Sequence, residues 1–501
     1  MSRPTFNVLT EPWIPVSRID GTSEELGILA CLEQAHMIRE IRHPAPIVEF
    51  GLYRLLIAFL LDSFILAEKR PLDLVDIEEL MEAGRFDCTQ FDVYIDSCGD
   101  VFDLFHPERP FLQDVIMNGK KKPVSGLYPV TPSGTNAGLW NHQHEQEVTM
   151  FPAEAACLLT TIAPFMTSGG AGLSPSINGA PAIYALPNSD TLYATLLQNL
   201  PVREQGSGGG MIAWRNSRTP GGDRSEATTV EALTWRPRRV QFLPDISPGG
   251  HIVIRQMKFE KGDSTRLTWT DPNLAYRYAK DEARPIRMRE GRPLWRDAGA
   301  LSLLGDQSRG KTSVDFAIQR PDVVQQAFEI EDGRQELKIV VYGMRTDMKM
   351  KVFEWARSTW VVPSKLGRST RLGAMVQQEL DRAEQADYAL RSAIKACYPR
   401  EGAGNKGAFG SIVSRATRAY WGRLEHHFQP LMSTFASLDP DALDEPEKVK
   451  DTAISWRKAI QNIAISQFDS SMKDLDTDSD ALERFVLARG RLNRKLGKVL
   501  L

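Results

Sequence analysis

The most constraining feature of this sequence is a set of four long helical patterns at its C-terminal end, with no strand pattern between them. The four patterns cover residues 371–398, 411–438, 442–468 and 480–500. In the second pattern, apolar residues return at every fourth position, at Ile412, Ala416, Tyr420, Leu424 and Phe428. Such an apolar stripe is stable in water only when it packs against another element. The sequence therefore predicts that residues 366–501 form a four-helix bundle.

Residues 1–365 mix helical and strand patterns, which predicts a large α+β domain in front of the bundle. Two apolar segments, 47–67 and 153–165, have the length and composition of buried helices. Because Glu49, Arg54 and Asp62 interrupt the first of them, it is interpreted as a core helix rather than a membrane span. Strand patterns are predicted at residues 91–95, 234–243 and 252–259.

The charge of the chain limits the ways in which it could bind nucleic acid. A net charge of −3 is unlike that of a protein that coats nucleic acid by bulk attraction, so any such binding must use local basic patches. One basic stretch holds five arginines: Arg284, Arg287, Arg289, Arg292 and Arg296. The lysine run at residues 120–122 fits either a solvated face or a binding patch, and the sequence leaves both open.

The reactive residues of the chain show no catalytic or metal-binding pattern. Five cysteines are scattered, with neither a disulfide framework nor a paired-cysteine metal motif. His142 and His144 could ligate a metal, but no cysteine or carboxylate cluster lies near them in sequence, so we expect no metal site there. The first sixteen residues lack a basic-then-apolar signal pattern, and we expect a cytoplasmic protein.

A glycine-rich loop follows the apolar segment 153–165. It consists of Thr167, Ser168, Gly169, Gly170, Ala171 and Gly172. A backbone with so many glycines can adopt positive φ angles and let another molecule approach closely. Exposed N–H groups in such a loop can bind phosphates or contact a shallow groove without side chains. A plain turn at the C-terminal end of a helix explains the same residues, and both interpretations stay open at this point.

Residues 305–312 match the GxxxxGK[ST] pattern of phosphate-binding loops, with Lys311 and Thr312 in the key positions. Such a loop needs a sustained helix after it, since the helix N-terminus forms part of the anion site. Here the following segment is stopped by Pro321, and the next strand pattern lacks the acidic residue that would hold magnesium. We therefore favour a surface loop, with a P-loop NTPase as the alternative function.

Several weak motifs occur in an order that resembles a known family. They are FNVLTEPWIPV at 6–16, HPERPFLQ at 106–113, SGTN at 133–136, the glycine loop ahead of NGAP at 178–181, and GMRTD at 343–347. Together with the helical tail, they resemble the CasA family, the large subunit of the type I-E CRISPR surveillance complex (Cascade). The resemblance spans essentially the whole chain.

The resemblance implies a non-catalytic subunit. Some members carry paired CxxC motifs that suggest zinc, but this chain has none, so we expect neither a metal nor a cofactor. Members recognise the protospacer-adjacent motif (PAM) in double-stranded DNA, mainly from the minor-groove side. They start to open the duplex for pairing with guide RNA and recruit a separate helicase–nuclease. The implied partners are the other Cascade subunits, the guide RNA, the target DNA and that helicase–nuclease.

The resemblance also implies positions for the contacts. The glycine loop, with Gly169 and Gly170 closest to the bases, acts together with a lysine finger and a wedge hairpin. The lysine finger falls on Lys258 or Lys261, and the wedge falls on Thr346, Asp347, Met348 and Lys349. A loop that docks on guide RNA and the backbone subunit is expected to include Asn136, Leu139 and Trp140. A basic bundle face, which holds displaced DNA or adjoins the small subunits, is expected at Arg489, Arg491 and Arg494.

Overall fold

A computed structural model of the chain describes most of its residues. These are 3–127, 148–168, 172–179, 181–203, 210–265, 269–279, 282–289, 292–303, 317–330, 333–346, 352–398, 406–439, 447–473 and 478–500. The strands are β1 (Ile14–Arg18), β2 (Ser23–Leu26), β3 (Ile38–Ile41), β4 (Lys121–Pro123), β5 (Tyr184–Asn188), β6 (Gly222–Arg224), β7 (Arg238–Ile246), β8 (Ile252–Lys261), β9 (Asp263–Thr265), β10 (Tyr276–Ala279), β11 (Glu282–Pro285), β12 (Ala317–Gln319), β13 (Glu336–Thr346) and β14 (Val352–Pro363). The α-helices are α1 (Ile28–Glu33), α2 (Pro46–Glu68), α3 (Leu74–Ala83), α4 (Thr89–Cys98), α5 (Pro152–Leu159), α6 (Ile162–Phe165), α7 (Leu192–Gln198), α8 (Thr229–Leu233), α9 (Ala298–Ser302), α10 (Asp322–Glu329), α11 (Ser364–Arg368), α12 (Thr370–Cys397), α13 (Lys406–Ala436), α14 (Glu447–Ser471) and α15 (Ser479–Val499). The mixture of helices and sheets followed by long helices confirms the predicted α+β class.

Helix α2 lies at the centre of the first hydrophobic core. A proline at its first position suits the start of a helix, and nearly every following residue as far as Phe64 is buried. The helix is long and apolar enough to cross a membrane, but protein covers most of it, as expected for a core helix. Its three charged interior residues all have partners, because a buried charge without one is costly. Glu49 pairs with Arg357 at 2.8 Å, Arg54 with Asp271 at 2.8 Å, and Asp62 with Arg215 at 3.0 Å.

The antiparallel sheet β14–β13–β5 separates two hydrophobic cores. Val340 and Tyr342 of β13 belong to the core around α2, whereas Ile339 and Val341 belong to a second core that includes the bundle. This division follows from the alternation of side chains along a strand. The chain becomes wholly helical at Ser364, and the second core continues across that point, from the sheet into α12 and α13.

The four predicted C-terminal helices correspond to α12, α13, α14 and α15. They enclose the large side chains Trp421 and Trp456, which are both at most 2% exposed. Trp295, from the segment before α9, packs on Trp421 with ring centroids 5.4 Å apart. The side chain of Glu379, buried in α12, accepts hydrogen bonds from Arg457 of α14, which ties those two helices together.

Two local predictions were wrong. Residues 91–95, predicted as a strand, lie in helix α4. Phe91, Tyr94 and Cys98 are buried at spacings of three and four, and Phe91 and Tyr94 pack on Phe59, so the helical period was overlooked. Residues 153–165 form two short helices, α5 and α6, because the hydroxyl groups of Thr160 and Thr161 donate to carbonyls three residues earlier and end α5.

Candidate nucleic-acid interface

The base of the glycine loop is anchored, and its described glycine is exposed. Thr167 is 5% exposed, and the backbone N–H of Ser176 donates to the carbonyl of Met166 at 2.8 Å, which closes the loop at its base. Gly172 is exposed, with φ +75° and open space where a Cβ atom would lie. Positive φ is a conformation that favours glycine. The expected base contacts Gly169 and Gly170, together with Ala171, lie outside the described residues.

The sheet β4–β8–β7 carries both candidates for the lysine finger, on opposite faces. The Lys258 ammonium donates to the carbonyls of Ile116 and Met117. Lys261 is exposed and lies directly opposite Arg238 in the β7–β8 register. Directly opposed residues share a face, so Lys261 lies on the same side of the sheet as Arg238. The Arg238 guanidinium donates to the carbonyls of Thr167 (2.8 Å) and Ser168, so Lys261 is on the glycine-loop side.

A basic groove of about 810 Å³ begins at residues 177–179, which we call the tail of the glycine loop. Asn178 and Gly179 form one wall, and the β10–β11 hairpin with the arginine-rich stretch after it forms the other. The acidic lining residues Glu282 and Asp297 are neutralised by Arg284 and Arg292.

Two exposed cations of this groove, Arg287 and Arg289, differ from Arg284 and Arg292 in their surroundings. In the part of the chain that the structure describes, neither Arg287 nor Arg289 has an acidic partner, and both are exposed. The Arg287 guanidinium comes within 3.1 Å of the position that a Cβ atom would take at Gly179, so the glycine allows a close approach. A groove with exposed guanidinium groups suits a polyanion.

The β13–β14 hairpin, on which the wedge is expected, has a rigid base. The Tyr342 hydroxyl donates to Glu49 of α2 at 2.6 Å, and Arg357 donates to the same carboxylate at 2.8 Å and to Glu40 at 3.1 Å. Thr346 is the last described residue before the tip and is half-buried. The tip residues Asp347, Met348 and Lys349 lie outside the described part of the chain.

The three arginines of the expected basic bundle face differ in their surroundings. Arg489 is half-exposed and paired with Asp469 at 2.8 Å. Arg491 and Arg494 are exposed and line a groove of about 400 Å³ between α12 and α15, together with Lys495 and Lys498. Net positive charge is therefore concentrated in this groove rather than at Arg489.

Three further predictions fall on residues that the structure does not describe. The guide-RNA loop at Asn136, Leu139 and Trp140 is one of them, and the histidines of residues 142–144 are another. The P-loop match at residues 305–312 is the third. They stay predictions from the sequence.

Sequence reasoning missed Arg238 as a residue of this site. It lies within the strand predicted at residues 234–243, and the alternation of that strand directs its side chain to the core. Arg238 shares its face with the buried residues Val240 and Phe242, and its own side chain is 2% exposed. The sequence did contain a signal, because Arg238 alternates in step with the core positions of the strand. An arginine at such a position is buried and requires specific partners.

Comparisons with known proteins agree with the resemblance seen in the sequence. Residues 7–467 match the family model of CRISPR-associated protein Cse1. A CRISPR-associated protein CasA/Cse1 from Thermus thermophilus is 27% identical over 523 residues, which cover 99% of this chain and 98% of the relative.

Solved structures share the fold. The crystal structure of CRISPR-associated protein Cse1 from Acidimicrobium ferrooxidans has a TM-score of 0.74 at 22% identity, covering 100% of this chain and 99% of that one. A chain from a CRISPR RNA-guided surveillance complex has a TM-score of 0.76 at 21% identity, covering 98% of this chain and 100% of that one. Because the family match extends over nearly the whole sequence, this chain belongs to the CRISPR-associated Cse1 family.

Proposed function

We propose that this chain is the large, non-catalytic subunit of an RNA-guided surveillance complex and recognises the PAM in double-stranded DNA. Membership of the Cse1 family supports the assignment to such a complex. The observation that carries DNA recognition is the basic groove, which starts at the tail of an anchored glycine loop. It contains Arg287 and Arg289, which have no acidic partner among the described residues. The proposed location is the cytoplasm, and no cofactor is proposed.

The groove suits the sugar-phosphate backbone of a duplex. Phosphate contacts fix the position and register of a protein on DNA without carrying sequence information. Guanidinium groups bind phosphate oxygens in a planar, two-pronged geometry, which Arg287 and Arg289 can offer because no carboxylate among the described residues occupies them. The duplex would then lie with one strand beside Asn178 and Gly179, next to the glycine loop.

Base recognition falls to the loop and to one lysine. The minor groove is narrow and offers few distinguishing groups, so a backbone without side chains and one flexible donor suit its recognition. Lys261 is favoured over Lys258 as that donor. Lys261 is exposed on the glycine-loop side of the sheet, whereas the Lys258 ammonium is already hydrogen-bonded to two carbonyls.

Duplex opening falls to the β13–β14 hairpin. Unstacking one base step of DNA costs about a few kcal/mol, so a wedge hairpin needs a rigid support within the protein. Glu49 supplies that support, because it holds both Tyr342 of β13 and Arg357 of β14 from within the buried helix α2. Met348 is proposed as the apolar residue at the tip.

The remaining contacts are proposed from the family resemblance. The loop with Asn136, Leu139 and Trp140 would dock on guide RNA and the backbone subunit. The groove between α12 and α15, which Arg491 and Arg494 line, would hold displaced DNA or adjoin the small subunits. The chain would recruit a separate helicase–nuclease, which cuts the DNA.

The test uses the complete complex, assembled with its partner subunits and guide RNA. Wild-type complex is expected to select particular flanking sequences from a randomised library of target duplexes. Lys261→Ala should weaken binding to the selected sequence by about 1–3 kcal/mol, or about 5–150-fold. Gly170→Asp should also weaken binding to the selected sequence, because a charged side chain would occupy the space that the minor groove of the DNA needs.

Two variants make the comparison specific. Lys258→Ala should have the smaller effect of the two lysine variants, and Lys69→Ala, after the C-terminal end of α2, should have none. If wild-type complex binds all flanking sequences equally, PAM recognition by this chain is refuted. If Lys258→Ala has the larger effect, the lysine finger is Lys258.

A further inference from the structure

Arg238, at the start of β7, is a buried cation whose partners are carbonyl groups. Its side chain is 2% exposed, and no carboxylate among the described residues pairs with it. Its guanidinium donates to the carbonyls of Pro237 at 2.7 Å and Thr167 at 2.8 Å, and also to those of Ser168 and Ser174. One side chain therefore holds both stems of the glycine loop.

The burial of this cation has an electrostatic cost. Removing a guanidinium from water is costly, and carbonyl dipoles offset the cost less completely than a carboxylate does. Burial lowers the pKa of Arg238 to about 10, so the group still carries its charge at neutral pH. A positive charge thus lies directly beneath the loop, with no neighbouring anion among the described residues to cancel its field.

The hydrogen bonds also set the direction of the backbone. In a trans peptide unit the C=O and N–H groups point in opposite directions. Since the carbonyl of Thr167 points inward to Arg238, the N–H of Ser168 in the same peptide unit points away from it. The carbonyl of Ser168 also points inward to Arg238.

We propose that Arg238 is a positioning residue for DNA recognition. It turns the carbonyls of the described loop stems inward, so that the N–H of Ser168 faces the minor groove and a positive charge lies behind it. It does not touch DNA itself. This inference rests on the proposed function and assigns a role to a residue buried behind the recognition surface.

The same contacts couple the loop to the lysine on its side of the sheet. Arg238 and Lys261 are directly paired across β7 and β8. Gly262 lies very close to the start of β7. A Cβ atom at this position would be 2.2 Å from the Arg236 carbonyl oxygen and 2.7 Å from the backbone nitrogen of Arg238. Any shift of Arg238 therefore moves the loop and the neighbouring lysine relative to each other.

Arg238→Lys is the main test variant. Lysine keeps the positive charge, but a single ammonium group does not span the carbonyls of both stems as a planar guanidinium does. Arg239→Lys is the matched control, because Arg239 is the next residue, lies on the other face of the strand, and pairs with Glu260 at 3.2 Å. Gly262→Ala is a second variant, which displaces Arg238 without removing its charge.

The first measurement is DNA binding by the assembled complex. We expect Arg238→Lys and Gly262→Ala to reduce the ratio of affinities for selected and unselected flanking sequences by about tenfold or more, as when one hydrogen bond to a charged group is lost. Arg239→Lys should leave the ratio unchanged. Poor folding would lower the active fraction for both duplexes equally and leave the ratio as it was, so an unaltered ratio in Arg238→Lys would overturn the proposal.

The second measurement needs no DNA. Hydrogen exchange of backbone amides in residues 167–176 should become at least about tenfold faster in Arg238→Lys than in wild type, because the stems lose their anchor. Unchanged exchange would disprove the anchoring role even if wild-type complex recognises its motif. Faster exchange, in a protein whose wild type shows no sequence preference, would refute the proposed function while leaving the anchor intact.

Discussion

Replacing Arg54 by methionine tests how the central helix and the candidate site depend on each other. Arg54 is 2% exposed, and its guanidinium donates to Asp271 at 2.8 Å, to the carbonyl of Leu233 at 2.9 Å and to that of Ala232 at 3.3 Å. Asp271 is itself fully buried and accepts a hydrogen bond from Asn178, on the tail of the glycine loop. The Arg54–Asp271 pair therefore joins the core of the protein to the wall of the basic groove.

The magnitude follows from what Arg54→Met leaves behind. Methionine fills much of the volume of the arginine stem, so the main loss is electrostatic. A buried carboxylate deprived of its cation typically costs about 3–5 kcal/mol of unfolding free energy. Two buried carbonyls also lose a donor, which makes the upper half of that range the expectation. Replacing both partners, as in Arg54→Met with Asp271→Asn, should recover more than half of the loss, because a neutral buried pair leaves no uncompensated charge.

The assay is urea-induced unfolding followed by tryptophan fluorescence, with free energies taken from the transition midpoint and slope. Arg255→Met is the control, because its ion pair with Asp245 is solvent-exposed and should contribute less than about 1 kcal/mol. A loss below about 1 kcal/mol for Arg54→Met, or no recovery in the double variant, would refute the electrostatic explanation.

Three further predictions concern the hairpin base, the contact between α10 and α11, and the groove. Tyr342→Phe should lower the unfolding free energy by about 1–3 kcal/mol in the same urea assay, because the buried Glu49 carboxylate loses a donor. Gly367→Ala should cost about 1–3 kcal/mol, because the new Cβ atom would lie 2.2 Å from the ring of Phe328. Arg287→Ala should weaken binding of the complex to all duplexes alike and reduce the slope of log affinity against log salt by about 1.

Each of these predictions has a matched control and a contrary outcome. Tyr388→Phe, at a side chain that is 65% exposed, should leave stability nearly unchanged, and an equal effect of both tyrosine variants would contradict the role of Glu49. Gly422→Ala, in the exposed face of α13 with open space around it, should stabilise by about 0.5–1 kcal/mol, whereas stabilisation by Gly367→Ala would contradict the contact with Phe328. Arg284→Ala should change the salt slope less than Arg287→Ala, since Arg284 already pairs with Glu282.

Much of the architecture was predictable because it is encoded locally. The four bundle helices and the strands β7 and β8 repeat their apolar residues with the period of the structure they form. Helix α2 is instead recognisable from the length and composition of its apolar run, since it is buried on all sides. The helix α4 was not predictable in the same way. Its sequence around Phe91 fits both a period of two and a helical spacing over so short a stretch, and its packing on Phe59 decides between them.

The candidate functional residues divide in the same manner. The sequence located the glycine loop and the basic stretch around Arg287, because glycine content and charge are visible in the letters. It left Lys258 and Lys261 undecided, since the choice depends on which face of the sheet the loop packs against. It missed Arg238, whose role is defined by carbonyl groups of the loop rather than by its own neighbours in the chain.

The sequence by itself determined the fold class, the central helix, the bundle and the family, since periodicity and motif order are properties of the chain read in one dimension. Only the tertiary structure decided which charges meet. Arg54 and Asp271 are 217 positions apart, and Arg238 and Thr167 are 71 positions apart. Buried polar groups must find partners wherever the fold brings them, and that requirement links distant segments in a way that no local pattern records. The anchored loop beside a basic groove is a product of those long-range contacts.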